Sequence, residues 1–171
     1  MALGRNIITR LPKLRSYEQA ARWEASIVPL RHGNRKGLKP LGHRPATHMS
    51  IRKESDESIV ITFYMTDILR YYPDDTLEVN TGNYASLSNN DLFNNVVGDY
   101  MCTFDGGTWV LCKSPQFENE NKTGYIWLGR TATFKLDGAS YPLILKGGQL
   151  PVVHKIDRRK MNLLRTRSRN A

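Results

Sequence analysis

The sequence has little cysteine and no long hydrophobic run, and each absence excludes a class of protein. No stretch of 18 apolar residues occurs, so no segment predicts a transmembrane helix. The two cysteines, Cys102 and Cys112, flank a turn signal at Asp105-Gly106-Gly107. We expect reduced thiols on one face of a hairpin, not a disulfide. A chain of 171 residues, 40% of them hydrophobic, can form one domain with an ordinary core.

Signatures of catalysis are also missing. The sequence contains no phosphate-binding G-x-x-x-x-G-K loop, no G-x-G-x-x-G and no nucleophile elbow. Four carboxylates lie close together in sequence, as in some nuclease metal sites, but without the lysine of a D-(E/Q)-x-K pattern; they are Asp67, Asp74, Asp75 and Glu78. We therefore expect a protein that is not an enzyme and needs no cofactor.

Metal ligands are too few for a metal site to be expected. No four cysteines or histidines have the spacing of a zinc site. His32, His43 and His48 share a stretch rich in Lys and Arg, whose positive charge disfavours a bound cation. His154 is distant in sequence.

Positive charge is abundant and unevenly distributed. The formal net charge is +9. Residues 1–53 carry a net +10, residues 54–154 a net −7 and residues 155–171 a net +6. A basic segment on each side of an acidic centre is a pattern beyond general solubility, and it indicates a polyanionic partner.

The basic residues form two clusters that predict a nucleic-acid-binding surface. Arrays of Lys and Arg bind phosphate backbones because each neutralised phosphate releases a condensed counterion. The alternatives are an acidic protein surface or a solvated charge run. The first cluster precedes the first predicted hairpin and comprises Arg31, Arg35, Lys36, Lys39, Arg44 and Arg52. The second lies at the end of the chain and comprises Arg158, Arg159, Lys160, Arg165, Arg167 and Arg169.

Aromatic side chains on strands are a second candidate for nucleic-acid contact, by stacking on bases. Most aromatic residues on alternating strands belong to a core instead. The candidates are Tyr71, Tyr72, Tyr84, Trp109, Tyr125, Trp127 and Tyr141.

Hydrophobic periodicity predicts one helix and then a series of strands. A helix is expected over residues 17–29, with Ser16 and Gln19 at capping-box spacing. Residues 31–46, with three Gly, two Pro and five Lys or Arg, predict a loop. Alternation then predicts a hairpin with its turn at residues 54–57, and DILRYY and TLEVNT predict a second strand pair.

The second half of the chain predicts a short helix and more hairpins. A helix is expected over about 89–97, with a weak capping signal from Ser88 to Asp91. YMCTF and TWVLCK predict a hairpin, GYIWLG a further strand, and LPVVH the last one. TATFKL and ASYPLILK, joined by Asp137-Gly138, predict a hairpin with a two-residue type I′ loop.

One stretch resembles a known group of proteins. PLGHR at residues 40–44, the strand HMSIRK, and FYMTDILRYYPDDTLEVNTG at residues 63–82 resemble small uncharacterised proteins encoded by tailed bacteriophages. The shared features are a PLG-basic loop, a Thr-Asp strand, a Tyr-x-Pro-Asp-like turn and an Asn-Thr-Gly ending. The resemblance implies a viral origin and assigns no catalytic residues.

Together these observations predict an α+β fold. We expect a mainly antiparallel sheet or partly open barrel of consecutive hairpins, with one N-terminal helix and one short central helix. A basic arm at residues 1–15 and a basic tail at 155–171 would flank one globular domain at 16–154.

The predicted function is a phage-encoded, non-catalytic accessory protein that binds nucleic acid without sequence specificity, in the host cytoplasm. A virion or assembly component, and an inhibitor that binds a host nucleic-acid enzyme, are the alternatives.

Overall fold

A computed structural model of the chain contains two helices and ten strands in the part that it describes. The fold is α+β, with an N-terminal helix and a short central helix, as predicted. The residues described are 10–80, 82, 87–97, 100–105, 108–113, 123–127, 131–136, 144–146 and 148–153.

The larger sheet begins as a meander of four hairpin-connected strands. They are β1 (Met49–Lys53), β2 (Ile59–Phe63), β3 (Thr66–Tyr71) and β4 (Thr76–Asn80). All pairs in this meander are antiparallel, and the predicted turns at residues 54–57 and 73–75 connect them as expected. Two later strands, β8 (Thr131–Lys135) and β9 (Ile144–Lys146), complete the order β1-β2-β3-β4-β8-β9.

The smaller sheet is built from four strands of the second half of the chain. They are β5 (Tyr100–Asp105), β6 (Thr108–Lys113), β7 (Thr123–Trp127) and β10 (Gly148–Val153). Their order is β10-β7-β6-β5, again with antiparallel pairs. The expectation of consecutive hairpins therefore fails at β8, which leaves this sheet and pairs with β4.

The first helix, α1 (Tyr17–Ser26), begins at the predicted residue and ends earlier than predicted. The Ser16 hydroxyl accepts a hydrogen bond from the Gln19 N–H at 3.2 Å. Gln19 reaches back to the N–H of Arg15 at 2.8 Å, one residue before the partner that a capping box would use. The chain turns extended at Ile27, so the helix stops three residues before Pro29.

The core lies between one face of the larger sheet, the two helices and the segment before α1. Alternate residues of β1 and β2 are buried, among them Met49, Ile51, Ile59 and Ile61. The last partner is the second helix, α2 (Leu87–Val97), whose apolar stripe joins the same cluster as predicted from its spacing. Because α2 begins at Leu87, Ser88 lies inside the helix and is not its N-cap residue.

Residues before α1 are part of this core. Leu11 and Leu14 are buried, and the Leu14 N–H donates to the Val96 carbonyl of α2 at 2.6 Å. The hydroxyl of buried Tyr71 donates to the Leu14 carbonyl at 2.8 Å. The globular domain therefore starts before residue 16, and residues 10–15 are an integral segment, not part of a free arm.

Two predictions concern strand register in the second half of the chain. The predicted two-residue loop at 137–138 lies outside the described residues, and beyond it Phe134 pairs with Ile144. In the β5–β6 hairpin, Cys102 pairs with Leu111 and Cys112 pairs with Met101. The two cysteines thus occupy neighbouring rungs, and because successive positions alternate between faces, the prediction of one shared face is wrong.

Candidate nucleic-acid interface

The basic loop, defined here as residues 30–46, is folded by its own backbone hydrogen bonds. The Leu30 N–H donates to the Leu38 carbonyl at 2.9 Å, and the Gly37 N–H donates to the Leu30 carbonyl at 2.8 Å. Gly33 and Gly37 have φ of 82° and 88°, a conformation that favours glycine at both bends. The loop is therefore an ordered structure, and its glycines serve the turns that shape it.

The second half of the basic loop is attached to the exposed edge of β1. The Ile51 N–H donates to the Lys39 carbonyl at 2.9 Å, and the Leu41 N–H donates to the Met49 carbonyl at 3.0 Å. Pro40 forms an antiparallel bridge with Ser50. This pairing covers the sheet edge and holds the loop in a defined position.

Four cations of the basic loop are exposed and have no carboxylate partner within 4.0 Å among the residues described. The Arg35 guanidinium donates to the Thr47 carbonyl at 3.0 Å, and that of Arg44 donates to the Val28 carbonyl at 3.1 Å. Both contacts orient the side chain without neutralising its charge. The four residues, called the open cations below, are Arg31, Arg35, Lys36 and Arg44.

Lys39, a fifth cation of the loop, is paired. Its ammonium donates to the Glu24 carboxylate at 2.7 Å and to the Glu24 carbonyl at 2.9 Å. The two side chains are only 22% and 12% exposed, so this pair fastens the loop to the end of α1. Its charge is compensated within the chain.

Arg52, on β1, is bound still more fully, on the sheet face opposite the core. Its guanidinium makes two hydrogen bonds to the Asp67 carboxylate, at 2.8 and 3.0 Å, and one to Glu54 at 2.6 Å. It also donates to the Thr62 hydroxyl at 2.6 Å. The hydrogen bonds between Arg52 and Asp67 are the largest cause of the raised pKa of Arg52. They are also the largest cause of the lowered pKa of Asp67.

Arg70 extends the same group of charges along β3. Its guanidinium lies 3.8 Å from Asp67 and donates to the Ser58 hydroxyl at 3.0 Å. Val60 pairs with Arg52 on one side and Arg70 on the other, and it is fully buried although it lies outside the core cluster. We call Arg52, Glu54, Thr62, Asp67 and Arg70 the paired-charge face.

The second predicted cluster lies outside the described residues. It consists of Arg158, Arg159, Lys160, Arg165, Arg167 and Arg169. The first cluster is therefore the part of the predicted surface that the structure describes, and within it the open cations are the members without a carboxylate partner among the described residues.

The exposed aromatic residue that the structure describes near the basic loop is not one of the predicted stacking candidates. Tyr71 is fully buried and Tyr72 is half-buried, while the side chains of the other candidates lie outside the description. Tyr64, in the two-residue turn between β2 and β3, is 68% exposed. The signal in the sequence that could have identified Tyr64 is its place in a two-residue turn, a position where Gly or Asn would be expected.

Tyr64 stacks on His48 close to the basic loop. The ring centroids of His48 and Tyr64 are 5.1 Å apart with 29° between the ring planes, and Phe63 and Tyr64 form an edge contact with their centroids 4.8 Å apart. Burial, and then the positive charge of Arg35, lower the pKa of His48. Arg35 donates a hydrogen bond to the carbonyl of Thr47, the residue directly before His48. The stacked pair of His48 and Tyr64 therefore lies next to an open cation.

Three of the four clustered carboxylates accept hydrogen bonds within the chain, and the fourth lies in register with a cation. Asp75 accepts a hydrogen bond from the Tyr17 N–H at 2.8 Å. Asp74 accepts from Lys135 at 2.8 Å and from the Thr76 N–H at 3.0 Å, and these contacts lower the pKa of Asp74 to about 2. Glu78 pairs in register with Arg70. Within the described ranges, no three His, Cys, Asp or Glu side chains are arranged to hold a metal ion.

Comparisons with known proteins add no family to these observations. No protein-family model, curated protein or solved structure matches the chain. The resemblance to small proteins of tailed bacteriophages therefore stays a prediction. Neither helix in the described part of the chain is long and apolar enough to cross a membrane.

Proposed function

We propose that the protein is a non-catalytic nucleic-acid-binding accessory protein whose basic loop and basic tail bind the phosphate backbone without sequence specificity. The observation that carries the proposal is the set of open cations on an ordered loop. A cation that is already paired gains little from a phosphate, because it must first lose its carboxylate. Within the described part of the chain, Arg31, Arg35, Lys36 and Arg44 have no such pair to break.

Two cations of the first predicted cluster are for the same reason left out of the proposed phosphate-binding surface. Lys39 and Arg52 are each held by a carboxylate of the chain, so we remove them from the set that contacts phosphate. The six basic residues at 158–169 stay in the proposal because of their charge alone. A phage origin and a place in the host cytoplasm are further parts of the proposal and derive from the sequence resemblance.

The salt dependence of binding tests this proposal. The affinity of the full chain for a fluorescein-labelled homopolymeric oligonucleotide should fall steeply between about 50 and 200 mM salt, because each phosphate contact contributes about 0.7 to 0.9 to the logarithmic slope. Neutralising all four open cations to Gln should reduce the slope by up to about 3. A flat salt response of the unaltered protein would contradict the proposal.

A matched pair of single substitutions separates open from paired charge. Arg35→Gln and Arg52→Gln remove the same formal charge, but only the first should lower affinity and slope. An equal effect of both would indicate attraction by net charge alone. Purification as a large, salt-sensitive oligomer without nucleic acid would favour the virion component, and retention of one host nucleic-acid enzyme after nuclease treatment would favour the inhibitor.

A further inference from the structure

We infer that the exposed face of Tyr64 stacks on an unpaired nucleobase, so that the protein binds single-stranded nucleic acid in preference to a duplex. This inference rests on the proposed function, because the open cations would hold the adjoining phosphates. The chemistry requires only an aromatic ring with a free face next to a cation, and every base offers a face of its own.

The position of Tyr64 is the first argument. The side chain is 68% exposed at the tip of the β2–β3 turn, so it contributes far less to the core than Phe63 beside it. His48 stacks on one face of the ring and Phe63 makes an edge contact with it, and because 68% of the side chain is exposed we infer that the opposite ring face is open to solvent. A ring held in this way is already oriented before a ligand arrives, which reduces the entropy lost on binding.

The backbone at this turn is the second argument. Tyr64 has φ of 55°, a left-handed conformation that is uncommon for a bulky residue and that Gly or Asn adopts with less strain. The Tyr64 N–H donates to the His48 carbonyl at 2.7 Å, which holds the strained residue in place. Strained residues of this kind cluster at ligand-binding sites, and here the strain orients an exposed ring.

Charge next to the ring is the third argument, and it selects the ligand. Burial, and then the nearby positive charge of Arg35, lower the pKa of His48, and the Arg35 guanidinium donates a hydrogen bond to the Thr47 carbonyl at 3.0 Å. His48 therefore stays neutral at neutral pH, and a neutral ring packs beneath Tyr64 without repelling the open cations. An apolar peptide would find these cations unpaired, whereas a nucleotide supplies both a flat ring and an anion.

Tyr64→Asn tests the inference, because Asn retains the left-handed turn while the ring is lost. We expect about tenfold weaker binding of a labelled oligothymidylate. Binding of a duplex, and of an abasic oligonucleotide with the same phosphates, should be unchanged. Tyr64→Phe should restore the affinity, because it restores the ring.

Met65→Ala is the matched control, since Met65 is 97% exposed in the same turn and carries no ring. It should leave oligothymidylate affinity within twofold of the unaltered protein, on the scale of an ordinary surface substitution. An equal loss for Met65→Ala and Tyr64→Asn would overturn stacking in favour of general apolar contact. A circular-dichroism melt of each variant checks that the fold is retained.

The arms of the experiment separate this inference from the proposed function. If the unaltered protein binds every polyanion with a steep salt dependence and Tyr64→Asn binds oligothymidylate equally well, only stacking is overturned. If no nucleic acid binds, both fall together. If Tyr64→Asn changes the oligomeric state and not the oligonucleotide affinity, Tyr64 contacts protein, and the inference is again overturned.

Discussion

The basic loop and the paired-charge face both concentrate arginine, yet they use it in opposite ways. On the sheet, Arg52 meets Asp67 and Glu54 at hydrogen-bonding distance. In the loop, the guanidinium groups of Arg35 and Arg44 contact backbone carbonyls and no carboxylate among the residues that the structure describes. A carbonyl orients a guanidinium and leaves its charge uncompensated, whereas a carboxylate both orients the guanidinium and compensates its charge. The comparison teaches that a count of basic residues overstates a binding surface and that the partner of each cation decides its role.

The two regions also differ in what their charges do for the fold. On the sheet, the arginines bridge β1 and β3 across Val60, so their removal should disturb packing between strands. In the loop, backbone hydrogen bonds and the pair between Lys39 and Glu24 already maintain the structure. We therefore expect the open cations to be dispensable for folding, which would leave their charge available for a ligand.

The largest effect expected on stability comes from removing the central arginine of the paired-charge face. Arg52→Gln should lower the free energy of unfolding by about 1 to 2 kcal/mol, because Asp67 and Glu54 lose charge-assisted hydrogen bonds. Urea unfolding followed by circular dichroism measures this. Arg35→Gln is the control and should stay within about 0.5 kcal/mol of the unaltered protein. Equal losses would erase the distinction between the two regions.

A smaller effect is expected from placing a carboxylate in the basic loop. Asn34→Asp adds a negative charge beside Arg35 with almost no change of shape, and it should weaken oligonucleotide binding about fivefold, since a unit charge a few ångströms away is worth about 1 kcal/mol in water. Fluorescence anisotropy at low salt measures this. Ser55→Asp, in the β1–β2 turn beside the paired-charge face, adds the same charge and should change affinity less than twofold, as an ordinary surface substitution does. A comparable loss from Ser55→Asp would mean that only net charge matters.

The smallest expected effect is a change in the free energy of unfolding at acidic pH. The hydrogen bonds from Arg52 lower the pKa of folded Asp67 below its unfolded value. The stabilisation is therefore complete above the unfolded pKa of about 4 and is lost as pH falls through the lower folded pKa. The difference in unfolding free energy between the unaltered protein and Asp67→Asn should shrink over that window, by less than about 1 kcal/mol.

A variant background checks the origin of this pH dependence. In Arg52→Gln, the folded pKa of Asp67 should move back toward its unfolded value, because the largest cause of the shift is lost while Thr62 and Arg70 remain. The comparison with Asp67→Asn should then show a weaker dependence on pH over the same window. If the dependence is undiminished without Arg52, another group is responsible.

Local patterns predicted most of the elements. The alternation of Met49 and Ile51, and the helical spacing from Leu92 to Val97, identified buried faces because burial repeats with the period of the backbone. The pairing of β8 with β4, and the register of Phe134 with Ile144, were not predictable in this way. Both depend on which distant strand offers a free edge, which no local period encodes.

The candidate site was also predictable only where it depends on local sequence. The sequence identified the basic loop, but it could not separate Arg52 from Arg35, since one of the two carboxylates that compensate Arg52, that of Asp67, lies 15 residues away on another strand. The sequence analysis also did not identify Tyr64 as an exposed aromatic residue. Its exposure follows from a two-residue turn whose register includes an irregularity between Ile61 and Thr62.

By itself, the sequence determined the α+β class, the first four strands and the uneven distribution of charge, because these depend on composition and short-range periodicity. The tertiary structure decided which cations remain open and which aromatic ring faces solvent. Both outcomes depend on side chains brought together from distant positions, and the free energy of a charge or a ring is set by the neighbours that surround it in space.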